Sequence, residues 1–245
     1  MVAFRLKDDF AKKNSKFSSI LWGRSMCPNC NAILPWWALL PIFSYIILRG
    51  KCHNCKKHIS IIYLIIEIIS AIFGSLLLFN FLDNKINLFF FIIFYLTYYV
   101  LLILSIQDIK YGEISDKIAI PWIIILIISL LVYAIRYNNL PLFYTQILIA
   151  LVLFTIFALI VITTNAMGGG DIRIFVILGL ILPFPDILLT LTLSFVFASV
   201  AGIILAIIKK QKNIAQFHIR LIPYLAFGFS IMVIWGNMIS TYIFK

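Results

Sequence analysis

Negative charge is scarce in this 245-residue chain, which carries nine Asp and Glu against twenty Lys and Arg. Charge of either sign amounts to 12% of the residues, whereas 63% are hydrophobic and the mean hydropathy is +1.09. Soluble domains carry about 45–50% apolar residues, so a soluble globular fold is excluded. The period-two alternation of an outer-membrane barrel is missing as well. Cysteine does not occur after residue 55, so whatever the thiols do is done by the first quarter of the chain.

Apolar runs fill the remainder. Seven are read as membrane spans: 59–81, 86–107, 118–135, 142–164, a short one at 172–182 that stops before Pro183 and Pro185, then 187–208 and 221–244. Runs of about 20 residues suit a hydrocarbon core roughly 30 Å thick. Only helices or closed barrels satisfy their backbone in lipid. The expected fold is therefore an all-α polytopic membrane protein of about seven transmembrane helices. It is preceded by an N-terminal cytoplasmic tetracysteine module at 1–58, with the helical bundle at 59–245.

The net charge of +11 suggests nucleic acid, but its distribution argues otherwise. With the N-terminus placed in the cytoplasm and the spans threaded in order, seventeen Lys and Arg fall inside and three, Lys85, Arg136 and Lys245, outside. That bias sets orientation in a membrane, so a lipid bilayer and no nucleic acid is expected as partner. Reading 172–182 as re-entrant would put residues 209–212 outside, so the charge rule favours a true crossing.

The thiols form two knuckles, Cys27-Pro-Asn-Cys30 and Cys52-His-Asn-Cys55, with 21 residues between them. Each knuckle can offer two thiolates, and two knuckles complete a tetrahedral Zn²⁺ site. A reducing cytoplasm favours metal over disulfide. His53 and His58 stand beside a complete Cys₄ set and are read as surface residues. The stretch 32–48 is apolar but interrupted by prolines and rich in Trp, which fits an interfacial hairpin.

Two of the few carboxylates sit at the ends of apolar runs. Asp108 follows the run 88–107, and Asp171 follows Gly168, Gly169 and Gly170. Each has a plain alternative: Asp108 as a helix-end charge paired with Lys110, and Asp171 as a helix N-cap. Brought together, the two could share one proton, as an aspartyl protease requires. The three glycines would give backbone geometries closed to other residues and admit an extended substrate. Glu67, two turns into the first span, is costly there and is a substrate-binding or proton-tuning candidate. Glu113 and Asp116 are expected to be solvated loop charges, Asp186 lies on the external side, and residues 209–212 are a topology anchor.

These blocks, in this order, resemble the type IV prepilin peptidases, bacterial membrane aspartyl proteases with a GxGD motif. The resemblance runs from Gly23-Arg-Ser-Met-Cys27-Pro-Asn-Cys30 through Pro41-Ile-Phe-Ser-Tyr45 and Leu48-Arg-Gly-Lys-Cys52-His-Asn-Cys55. It continues through Ile59-Ser60, Tyr63 and Glu67 to Asp108-Ile109 and Gly168-Gly-Gly-Asp171. It implies cleavage of pilin-like precursors at the cytoplasmic face of the bacterial cytoplasmic membrane, after a Gly ahead of the precursor's apolar helix. For many members it also implies methylation of the new N-terminus from S-adenosylmethionine. Family members usually open with a transmembrane helix, whereas residues 1–19 here are polar and basic, with Phe4-Arg5-Leu6 as the remnant of that helix.

The expected chemistry is water activation: one ionised aspartate takes a proton from water while the other polarises the scissile carbonyl and protonates the leaving amine. Two rivals stand beside it. A thiol oxidoreductase would use the CxxC pairs, and a non-enzymatic assembly factor or transporter would need neither aspartate.

Overall fold

In lipid the backbone has no partner for its N–H and C=O groups except itself, so apolar runs of bilayer length become helices. The computed structural model describes residues 25–27, 29–83, 85–164, 168–208 and 220–243. The polar start at 1–19, Gly23, Pro28 and the basic stretch 209–212 lie outside the described residues. The helices are α1 (Phe43–Ile47), α2 (Ile61–Leu82), α3 (Leu88–Tyr111), α4 (Asp116–Arg136), α5 (Leu140–Thr164), α6 (Asp171–Ile181), α7 (Asp186–Ile208) and α8 (Ile222–Ile243). Every span read from the sequence has its helix. Five of them, α2 to α5 and α7, are long and apolar enough to cross a membrane, and Ile222–Gly236 of α8 is apolar over a shorter length. Among the described residues the only β pairing is two isolated bridges, Met26 with Ile33 and Lys51 with His58.

The chain divides into two compact units, Met1–Leu76 and Leu77–Lys245, with the division falling inside α2. The first unit holds both cysteine knuckles, a 3-10 turn at Trp36–Leu39 and α1. Trp36, Phe43, Ile46 and Ile47 are all exposed on it, in agreement with an apolar hairpin.

In the second unit α6 is the centre. It packs against α4, α5 and α8, while α3 packs on α4 and α8, α4 on α5, and α7 on α8. Ile174, Phe175, Ile177, Leu178, Leu180 and Ile181 of α6 are all shielded. The Phe175 ring stacks on Phe157 of α5 at 3.5 Å and 2°. Gly179 lets α5 come close: a Cβ there would stand 2.9 Å from Ala150 Cα. The outer helices present Ile128 and Val132 of α4, Leu148 and Leu151 of α5 and Ile203 of α7 to the surroundings. An apolar exterior of that extent suits lipid and not water.

At 11 residues α6 reaches about 16 Å, roughly half of a hydrocarbon core. Residues 179–182 at its C-terminal end are buried, so its last carbonyls need donors from the protein. Gln146 of α5, 2% exposed, supplies the donors. With its amide oriented to donate, its nitrogen reaches the carbonyl oxygens of Gly179 at 2.9 Å and Leu182 at 3.2 Å.

Candidate active site

Asp108 belongs to the last turn of α3, which runs on to Tyr111, beyond the end of the apolar run. Gly112 closes that helix in the left-handed conformation (φ 71°), and its N–H donates to the Asp108 carbonyl at 2.9 Å. Asp108 is only 6% exposed, so it is no helix-end charge reaching for water. Its partner is not Lys110. Arg220, immediately ahead of α8, places Nη1 3.6 Å from Asp108 Oδ1. The Ile222 amide at the start of α8 also faces the carboxyl. The other oxygen, Oδ2, is buried with no hydrogen-bond partner among the described residues.

Asp171 is the first residue of α6 and is half-buried. The N-cap reading does not hold, because the cap position falls on Gly170, which has no side chain to cap with. The Asp171 carboxylate is instead in electrostatic reach of Asp108 and of Arg220. At the head of a helix too short to span, its carboxyl is pushed up to about 6, chiefly by burial and then by the Asp108 charge, with Arg220 pulling the other way.

The glycines work differently from the sequence expectation. None of Gly168, Gly169 and Gly170 takes a positive φ, and Gly170 is helical at φ −64° and ψ −38°. Only Gly170 is needed for room. A Cβ on Gly170 would meet the Ile114 side chain at 3.1 Å, one on Gly168 would meet only Asp171 Oδ2 at 3.8 Å, and beside Gly169 there is open space.

Asp116, expected as a solvated charge, starts α4 and clasps α6. Its Oδ1 and Oδ2 accept from Arg173 Nη1 and Nη2 at 2.7 and 2.9 Å. A bidentate pair of this kind fixes geometry more than it adds stability, since both groups are partly exposed. The same end of the bundle buries further polar atoms. Gln107 Oε1 and Nε2, Ser115 Oγ and Trp122 Nε1 have no hydrogen-bond partner among the described residues. Glu67 is engaged in the first unit, where its Oε2 accepts the Ile42 N–H at 2.8 Å. That bond serves the entry to α1, where Ile42 has φ 62°.

The sequence reading missed two residues. Arg220 was counted only as an inside charge, and its one sequence signal is its place ahead of an apolar helix. Gly112 was passed over, and its signal is a lone glycine four residues after Asp108. A Cβ on Gly112 would collide with the Arg220 guanidinium.

The four cysteines converge in the first unit. The Sγ atoms of Cys27, Cys30, Cys52 and Cys55 all lie within 4.8 Å of one another, with Cys27 and Cys55 at 3.9 Å. The two knuckles share one design. Asn31 N–H donates to the Cys27 carbonyl and Lys56 N–H to that of Cys52, and Asn31 and Lys56 are both left-handed, at φ 55° and 57°. Amides of Cys55 and Asn54 favour the Cys52 thiolate, which is lowered to about 7, and the Ala32 amide lowers Cys30. Cys55 is raised to about 11: the Lys57 amide pulls it down, but burial and the other three thiols outweigh it. A tetrahedral metal with bonds near 2.3 Å needs sulfurs about 3.8 Å apart, so the residues present fit a thiolate-bound ion. His53 is not in the cluster and packs edge-on against Trp37 at 5.1 Å.

Comparison with known proteins places both regions. A model described as the bacterial peptidase A24 N-terminal domain matches residues 1–81, and one described as the type IV leader peptidase family matches residues 95–207. The prepilin leader peptidase/N-methyltransferase of Bacillus subtilis (strain 168) is 27% identical over 228 residues, covering 93% of this chain and 88% of that one. The protein of the same description from Stutzerimonas stutzeri is 27% identical over 221 residues, covering 88% and 73%. That from Vibrio cholerae is 40% identical over 68 residues, 28% of this chain and 27% of its own length. No solved structure matches.

Proposed function

We infer that the chain, matched by both peptidase A24 models, is a member of the type IV leader peptidase family and a membrane aspartyl endopeptidase that removes the leader from type IV pilin-like precursors. Asp108 and Asp171 are its catalytic pair. The observation that carries this reading is that two of nine acidic residues, 63 positions apart, stand on two different helices within electrostatic reach of each other, with Arg220 acting on both.

The chemistry follows from the pair. A carboxylate takes a proton from water as the water oxygen bonds to the scissile carbonyl carbon; the protonated partner donates to the carbonyl oxygen. No covalent intermediate is involved. Hydrolysis needs water at a site lined by lipid-facing helices. The buried polar atoms of Gln107, Ser115 and Trp122 would give such water its partners. The open space beside Gly168 and Gly169 suits an extended peptide, whose helix must unwind locally before its amide can be attacked. Glu67 is kept as a substrate-side candidate through its hold on the Ile42 backbone, which would shape the first unit and not act on a proton.

In this reading the cysteine module, 1–58, carries a structural Zn²⁺ on Cys27, Cys30, Cys52 and Cys55, and the bundle, 59–245, carries the protease. One four-sulfur cage supports this over two separate redox pairs. The metal would fix the fold of the module and take no part in hydrolysis. The charge asymmetry supports a cytoplasmic side for both aspartates and for the module, in a bacterial cytoplasmic membrane. The relatives' names add N-methylation, which would draw on S-adenosylmethionine; no residue of this chain is assigned to that donor.

The test is cleavage of a pilin-like precursor by the purified protein in liposomes, with products read by mass spectrometry. Wild type should cut after the leader Gly, and Asp108→Asn and Asp171→Asn should each lower the rate roughly 10²–10⁴-fold or more. Retained cleavage in either variant would remove that aspartate from the pair. A one-methyl mass increase on the product, seen only with methyl donor present, would establish the second activity.

A further inference from the structure

Asp108 and Asp171 are the same chemical group, yet an acid–base pair works only when its members differ. Arg220 supplies the difference. Its guanidinium stands 3.6 Å from Asp108 Oδ1, and the Ile222 amide faces the same carboxyl. Asp171 feels Arg220 only through space. The position of the guanidinium is built in, because Gly112 both closes α3 at a left-handed φ and leaves the space the guanidinium fills. Asp108 Oδ2 remains without a partner among the described residues and free to take a proton.

We propose that Arg220 is a positioning residue that fixes the division of labour in the pair: it holds Asp108 as the ionised general base and leaves the shared proton on Asp171, the general acid. The proposal rests on the aspartyl-protease reading above. In the forward step Asp108 Oδ2 takes a proton from water as the O–C bond forms, and Asp171 gives its proton to the carbonyl oxygen, leaving a neutral gem-diol. In the second step a gem-diol hydroxyl returns a proton to Asp171 and Asp108 passes its proton to the amide nitrogen as the C–N bond breaks. One water is consumed and both carboxyls end as they began.

Other charges stand on the surrounding elements: Lys110 on α3, Glu113 in the following turn, Asp116 and Lys117 on α4, and Arg173 on α6. Arg173 is held by Asp116. Among the described residues, the charged groups that act on the Asp108 carboxyl are Arg220 and Asp171.

The experiment is the pH dependence of precursor cleavage by wild type, Arg220→Gln and Arg220→Lys in liposomes, with Asp108→Asn alongside. An opposite charge at this range shifts a carboxyl by about one unit or more. In Arg220→Gln the acid limb should therefore move to higher pH by about that amount, with the loss in kcat and not in KM. Arg220→Lys keeps the charge, so its acid limb should stay at the wild-type position even if its rate falls. The proposal is overturned if Arg220→Gln lowers the rate equally at every pH or not at all. It is overturned as well if the limb moves in Arg220→Lys as far as charge removal would move it, which keeps the test decisive where Arg220→Gln does not fold. Cleavage that survives in Asp108→Asn would instead sink the underlying aspartate-pair reading, whatever the Arg220 variants do.

Discussion

At the scale of single residues, the proposed mechanism depends on keeping one proton between two acids. The Asp171 carboxyl lies at about 6, above its ordinary 3.8. Its protonated fraction therefore grows as pH falls through that value. Cleavage should rise as pH is lowered from about 8 toward about 6 and fall again where Asp108 is protonated in turn. A profile still climbing toward pH 9 would contradict this assignment of the acid. The linkage runs the same way for stability. Folding favours the protonated carboxyl, so its contribution is present below the ordinary Asp value and is lost as pH rises through about 6. The two aspartates were legible in the sequence because a carboxylate at the end of an apolar run is costly and therefore conspicuous. Arg220 was not, since a basic residue beside a membrane helix is commonplace and only the fold brings it to Asp108.

At the scale of elements, α6 is the part that has to be explained, a helix half as long as its neighbours that nevertheless holds the centre. Its lower end depends on Gln146. Replacing Gln146 with Leu would leave the buried Gly179 and Leu182 carbonyls without their donor. The cost should be about 1–3 kcal/mol, seen as a lower thermal transition of the detergent-solubilised protein. An unchanged transition would show that those carbonyls find other partners. The start, length and order of the spans were readable from hydropathy. The sequence could not reveal that the shortest would be the most buried, because apolar composition suits lipid-facing and protein-facing positions equally. The glycine run was read for the wrong property. A triple glycine signals backbone freedom, but none of the three takes a positive φ, and at Gly170 it is the missing side chain that counts, a distinction that depends on Ile114 and so on tertiary packing. The paired knuckles were readable to the residue, since CxxC geometry is local and the structure had only to bring two copies together.

At the scale of the whole molecule, the count of seventeen Lys and Arg against three, taken with all seven apolar runs threaded as crossings, predicts one orientation. Cysteines introduced at Lys110 and at Lys85, both exposed, should report it. An impermeant maleimide added to intact cells should label the Lys85→Cys protein and not the Lys110→Cys protein; the reverse pattern would invert the topology and place the aspartates on the wrong side for a cytoplasmic leader. The shortness of α6 carries a consequence for how the protein is made. Eleven residues offer too little apolar length to enter a bilayer unaided. The segment must wait until the longer helices on either side have been inserted and can receive it. Asp171 then meets Asp108 only when α4, α5 and α8 have closed around it. On the aspartate-pair reading proposed above, hydrolysis then waits on the docking of α6.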